Sequence, residues 1–85
     1  MSKYQKIIER FISGSGAITY DELKFILNKL NYKEIKTGKT SGSRVAFYND
    51  GLNDLIRLHK PHPGNELKHY QIKLIRSHLE FKKLV

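Results

Sequence analysis

Apolar residues along this chain keep a helical period, switch to alternation, and then return to a helical period. That double change restricts the fold to a mixture of helices and sheet around one core. Tyr4, Ile7, Ile8, Phe11 and Ile12 share one stripe, with Lys3, Lys6 and Arg10 off it, and predict a first helix ending at Ser13-Gly14-Ser15-Gly16. Thr19 and Glu22 then stand at the spacing of a capping box, in which each side chain satisfies the other residue's backbone donor. Ile18 and Leu23 hold the positions of the accompanying hydrophobic staple. Tyr20, Leu23, Ile26, Leu27 and Leu30 continue the stripe to Asn31 as a second helix.

From Tyr32 the period changes. Tyr32 to Thr37 predicts a short strand, followed by the basic stretch Gly38 to Gly42 and a second strand from Ser43 to Asn49. In that strand Val45 and Phe47 point one way, and Arg44, Ala46 and Tyr48 the other. Asn49-Asp50-Gly51 predicts a turn into a third strand, Leu55 to His59. Placing the apolar residues of this hairpin on one side sets its register: Phe47 opposes Ile56 and Val45 opposes Leu58. Arg44 then faces His59 on the other side, with Tyr48 and Arg57 nearby. Pro61 and Pro63 exclude regular helix or inner strand from the basic loop Lys60 to Asn65.

A last helix spans about Lys68 to Phe81. Ile72, Ile75 and Leu79 form one apolar stripe, Tyr70, Leu74 and Phe81 lie nearly opposite, and His69, Lys73, Arg76 and Lys83 occupy a flank. Such a helix must be covered twice, by the sheet on one face and by the first helix or a partner protein on the other. The expected class is α+β, a three-stranded antiparallel sheet packed by helices in the order α-α-β-β-β-α.

The chain has 85 residues, a length that supports one core, so residues 1–85 are read as a single domain. No cysteine is present, which excludes disulfides and thiolate metal sites and fits a reducing cytoplasm. No stretch reaches the roughly 20 apolar residues of a membrane span, and the first eleven residues lack an apolar run of signal-peptide length. With 16 Lys and Arg against 8 Asp and Glu, the net charge of +8 points to an anionic polymer as partner. Five basic and three acidic residues precede Tyr32, and eleven and five follow from there, so the binding surface is expected in the later part.

Two stretches carry a resemblance to a known family. Gly42-Ser43-Arg44-Val45-Ala46-Phe47, and Ile56 to Leu67 with its His-Lys-Pro-His-Pro-Gly-Asn-Glu-Leu loop, together with the Ile72 to Leu79 helix, resemble the HicA toxins. The likeness covers residues 18–79 and leaves 1–13 as an added N-terminal helix. It implies a fold like that of double-stranded-RNA-binding domains, an mRNA endoribonuclease activity, and neutralisation by a HicB-like antitoxin protein. In many members the Gly-Ser pair is followed by the histidine assigned to catalysis, and here that position is Arg44, which cannot serve as a general base.

Metal-independent RNA cleavage needs a group that takes the 2′-hydroxyl proton and a cation that holds charge developing on the phosphate. His59 and Arg44 suit those tasks from adjacent strands, with His62 as a second acid or base. The alternative gives His59 and His62 phosphate contacts only, in a non-catalytic RNA-binding module of the same fold. Arg44, Tyr48, Arg57, Lys60, Lys68, Lys73 and Arg76 are the expected RNA-binding residues. His59 and His62 lack a third metal ligand and sit beside Arg57 and Lys60, so neither a metal nor a cofactor is expected. A DNA-binding regulator is disfavoured because the second helix leads into strand and not into a recognition helix.

Overall fold

A computed structural model describes residues 2–14, 16–35, 44–61 and 64–85. Its elements are α1 (Lys3–Ser13), α2 (Tyr20–Lys29), β1 (Lys33–Ile35), β2 (Arg44–Asn49), β3 (Asp54–His59) and α3 (His69–Phe81). This is the expected α+β order, α-α-β-β-β-α.

Local signals set the helix ends. The Ser2 side chain caps α1 by accepting from the Gln5 amide at 3.1 Å, and Gly14 closes it in the left-handed conformation, φ 72°. The Arg76 guanidinium donates to the Phe11 and Ile12 carbonyls at 3.4 and 3.5 Å, supplying donors to the exposed C-terminal end of α1. A side chain at Gly14 would also meet Arg76 Nη1 at 3.0 Å, but that is the end of a flexible side chain, and it is the positive φ that favours glycine here.

Both halves of the capping box form at α2. The Glu22 amide donates to Thr19 Oγ1, and the Thr19 amide to Glu22 Oε1, each at 3.1 Å. Arg10 of α1 pairs with the same Glu22 carboxylate, so one side chain starts α2 and fastens α1 to it. Ile18 and Leu23, the staple pair, are fully buried. The helix stops at Asn31, whose φ of 71° turns the chain into β1.

The sheet runs β1-β2-β3, antiparallel throughout. Phe47 pairs with Ile56, Val45 with Leu58 and Arg44 with His59, the register that the faces dictate. Asp54 opens β3 one residue before the predicted start, paired with Asn49. Thr37 and Ser43, at the expected ends of the first two strands, lie outside the described residues. Beyond β3 the chain returns beside the entry to α2, where the Leu67 amide donates to the Ile18 carbonyl at 2.9 Å and the Tyr20 amide to the Asn65 carbonyl at 2.8 Å.

All three helices cover one face of the sheet. Val45, Phe47, Ile56 and Leu58 meet Ile7 and Phe11 of α1, Leu23, Ile26 and Leu27 of α2, and Ile72, Ile75 and Leu79 of α3 in one core. The second apolar face of α3 is not covered by α1, which sends Ile7 and Phe11 into that core instead. Tyr70, Leu74 and Phe81 are 59, 66 and 81% exposed, which corrects the first of the two expected covers, the first helix. Among the described residues no helix is long and apolar enough to cross a membrane.

Candidate nucleic-acid interface

The helices take one side of the sheet, and among the described residues no helix covers the other. Strand alternation brings Lys33 and Ile35 of β1, Arg44, Ala46 and Tyr48 of β2, and Leu55, Arg57 and His59 of β3 to this face. The cross-strand rows are Lys33-Tyr48-Leu55, Ile35-Ala46-Arg57 and Arg44-His59. Arg44, Arg57 and His59 are exposed. Arg57 lies diagonally from Arg44, a separation that long side chains span.

The end of β3 is held in place from behind. Gln71, buried in the first turn of α3, donates through Nε2 to the His59 carbonyl at 3.0 Å and accepts from the Lys68 amide at 3.0 Å. One amide therefore caps α3 and fixes the backbone that carries His59. Lys68 is not a capping residue by type, so neither this half-cap nor the reach to His59 is legible in the sequence.

Lys60 and the expected binding residues of α3 fall elsewhere. Lys60 follows His59 but turns to the helical side, where its Nζ stands 5.4 Å over the Tyr20 ring. The Tyr20 hydroxyl donates to Glu34 at 2.5 Å, and Lys24 pairs with Glu34 at 3.0 Å. These hydrogen bonds and the charges of Lys24 and Lys60 outweigh burial and hold the Glu34 carboxyl below its usual range. Burial, then the Glu34 carboxylate, pushes the Tyr20 phenol up. Lys60 thus belongs to a small ionic cluster at the side of the sheet.

Lys68, Lys73 and Arg76 sit on or at the start of α3, in the helical layer and across the sheet from Arg44, Arg57 and His59. Arg76 serves the C-terminus of α1. The basic residues expected to bind RNA are therefore divided, among the described residues, between two sides of the molecule. Tyr48 is on the open face, half-buried, and its hydroxyl donates to Asn53 Oδ1 at 2.6 Å. His62, the second acid or base, lies outside the described residues.

Sequence reasoning missed the apolar part of this face. Ile35, Ala46 and Leu55 line a depression of about 570 Å³ together with Arg44, Arg57 and His59. The signal was present: apolar Ala46 and Leu55 occupy strand positions whose neighbours two residues away are Arg44 and Arg57. Among the described residues no three His, Asp or Glu side chains gather as a metal site. The chain matches no protein-family model, no curated protein and no solved structure.

Proposed function

We propose that this chain is a cytoplasmic RNA-binding toxin of the HicA kind, which cleaves mRNA without a metal and is restrained by a HicB-like antitoxin. The observation that carries the reading is the pairing of Arg44 with His59 across two strands of an exposed sheet face, with Arg57 diagonal to Arg44. A guanidinium and an imidazole carried on adjacent strands supply the charge and the base that opening an RNA phosphodiester needs. His59 accepts the 2′-hydroxyl proton as that oxygen attacks phosphorus, while Arg44 and Arg57 hold the negative charge gathering on the phosphoryl oxygens. The bond from phosphorus to the 5′-oxygen breaks, leaving a 2′,3′-cyclic phosphate and a 5′-hydroxyl. The leaving oxygen takes its proton from a second acid, the role assigned to His62.

Arginine in place of the histidine usual after the Gly-Ser pair favours a second reading, an RNA-binding module of the same fold without catalysis. Arg44 binds phosphate under both readings and cannot take a proton under either. Incubating the purified protein with end-labelled RNA, with and without chelator, separates them. Cyclic-phosphate products insensitive to chelator support the toxin reading, whereas retention of intact RNA supports the binding module. No retention and no cleavage would sink both.

A further inference from the structure

The open face offers more than cations. Ile35, Ala46 and Leu55 form an apolar middle, and Arg44, Arg57 and His59 stand along one side of it. Ala46, 1% exposed, lies beneath its row neighbours Ile35 and Arg57, so the apolar surface that the depression offers is that of Ile35 and Leu55. The volume, about 570 Å³, falls within the range of about 300 to 1,000 Å³ typical of sites that enclose a small ligand.

Paired RNA has no use for such a floor. In an A-form helix the bases are stacked on one another, and a protein meets phosphates and 2′-hydroxyls along a backbone. An unpaired nucleotide brings both a phosphate and an uncovered base face, the two chemistries that meet in this depression. Tyr48 is not the stacking residue, because it lies outside the depression with its hydroxyl tied to Asn53. Aliphatic side chains and one alanine select no particular base by hydrogen bonding, so contact here is tolerant of sequence.

We infer that the depression binds one unpaired nucleotide, with its base against Ile35 and Leu55, over the buried Ala46, and its phosphate between Arg44 and Arg57. The sheet face therefore selects single-stranded over double-stranded RNA, although the fold resembles that of duplex-binding domains. This inference rests on the RNA-binding reading above. A base seated there leaves its own ribose and phosphate beside His59, at the strand end that Gln71 fixes.

Fluorescence anisotropy tests it with the full chain, using a labelled unstructured 12-nucleotide RNA and the corresponding duplex. Both carry 2′-O-methyl groups, so that the attacking oxygen is blocked and binding is read without cleavage. The single strand should bind at least about tenfold more tightly than the duplex. Ala46→Val, which raises the floor with a strand-compatible side chain, should remove that preference and leave duplex binding unchanged. Ile35→Ser, at an exposed edge-strand position, should reduce single-strand affinity alone and serves as the check if Ala46→Val perturbs folding. Equal binding of the two RNA forms by the unaltered protein overturns the inference while the RNA reading stands. Failure to bind either form overturns the RNA reading itself. A preference for the single strand that survives both substitutions places the nucleotide elsewhere and also overturns the inference.

Discussion

His78 Nε2 lies 2.7 Å from Oδ2 of Asp54, joining α3 to the first residue of β3 across 24 positions of sequence. The same carboxylate accepts from the Tyr32 hydroxyl at 2.5 Å, and Lys82 Nζ stands 3.6 Å from its other oxygen. Asp54 is buried, so three segments converge on one group: the entry to β1, the start of β3, and the end of α3, which supplies two side chains. Removing a buried acceptor strands its donors, at about 1 to 3 kcal/mol for a buried hydroxyl. Asp54→Ala should lower unfolding stability in denaturant titrations by about 2 to 3 kcal/mol, and Asp54→Asn by less because it still accepts. Equal small losses for both would mean that the cluster contributes nothing to stability.

The same cluster sets an acid limit. Burial raises the Asp54 pKa, but hydrogen bonds from Tyr32 and His78 and the charges of His78 and Lys82 prevail and hold it below its ordinary 3.8. Glu34 and Glu22 are likewise held below 4.5: Glu34 mainly by the Tyr20 hydroxyl, and Glu22, against burial, by the Thr19 amide and Arg10. Carboxyls with depressed folded-state pKa values stabilise the fold above the unfolded values and lose that contribution as pH falls through the folded ones. Stability should therefore be flat above about pH 5.5 and decline steadily below about pH 4.5. At the alkaline end the Tyr20 and Tyr32 phenols are raised from 10.0, chiefly by burial, so stability should decline again above about pH 10. Thermal melts across pH measure both limbs, and Asp54→Asn should make the acid limb shallower.

If the protein cleaves RNA, His59→Ala should lower the rate by about a hundredfold or more at nearly unchanged affinity, the scale of losing a general base. A loss of only a few-fold would make His59 a phosphate contact. Arg44→Ala should reduce turnover more than binding, because it acts on charge that develops at the transition state. Single-turnover rates beside anisotropy titrations separate the two effects.

The division of the basic residues predicts unequal salt dependence. Lys33, Arg44 and Arg57 share the open face, and each phosphate neutralised contributes a slope of about −0.7 on single strands, giving about −2 in a log-log plot against salt. Arg57→Ala should make the slope less negative by about 0.7, while Lys73→Ala on the opposite side should leave it unchanged. The reverse result would move RNA to the helical layer.

The two apolar faces of the helical layer should respond differently to substitution. Phe11, fully buried, anchors α1 in the core, and Phe11→Ala should cost about 3 to 5 kcal/mol. Leu74→Ser, on the exposed face of α3, should stay within about 0.5 kcal/mol of the parent. Deleting residues 1–13 should destabilise the chain by opening the core, and not by uncovering Tyr70, Leu74 and Phe81, which are already exposed. Denaturant titration of all three variants checks this ordering.

The sequence alone determined the features whose partners are close in the chain or repeat with a fixed period. The Thr19–Glu22 box needed only three residues of spacing. The hairpin register followed from alternation, because slipping it by one residue would turn Val45, Phe47, Ile56 and Leu58 away from the core. With the register came the opposition of Arg44 and His59. Tertiary structure decided the rest, since it turns on which face of each element the core takes. Arg76 and His78 are two residues apart on α3 and so point to nearly opposite sides of it, yet nothing in their spacing tells that His78 meets a buried carboxylate and Arg76 the end of α1, 64 or 65 residues away. Lys60 and His59 are neighbours in sequence, but pleating sends one toward Tyr20 and the other to the open face. Ile35, Ala46 and Leu55 come from three strands, and only the folded sheet sets them in one depression beside two arginines.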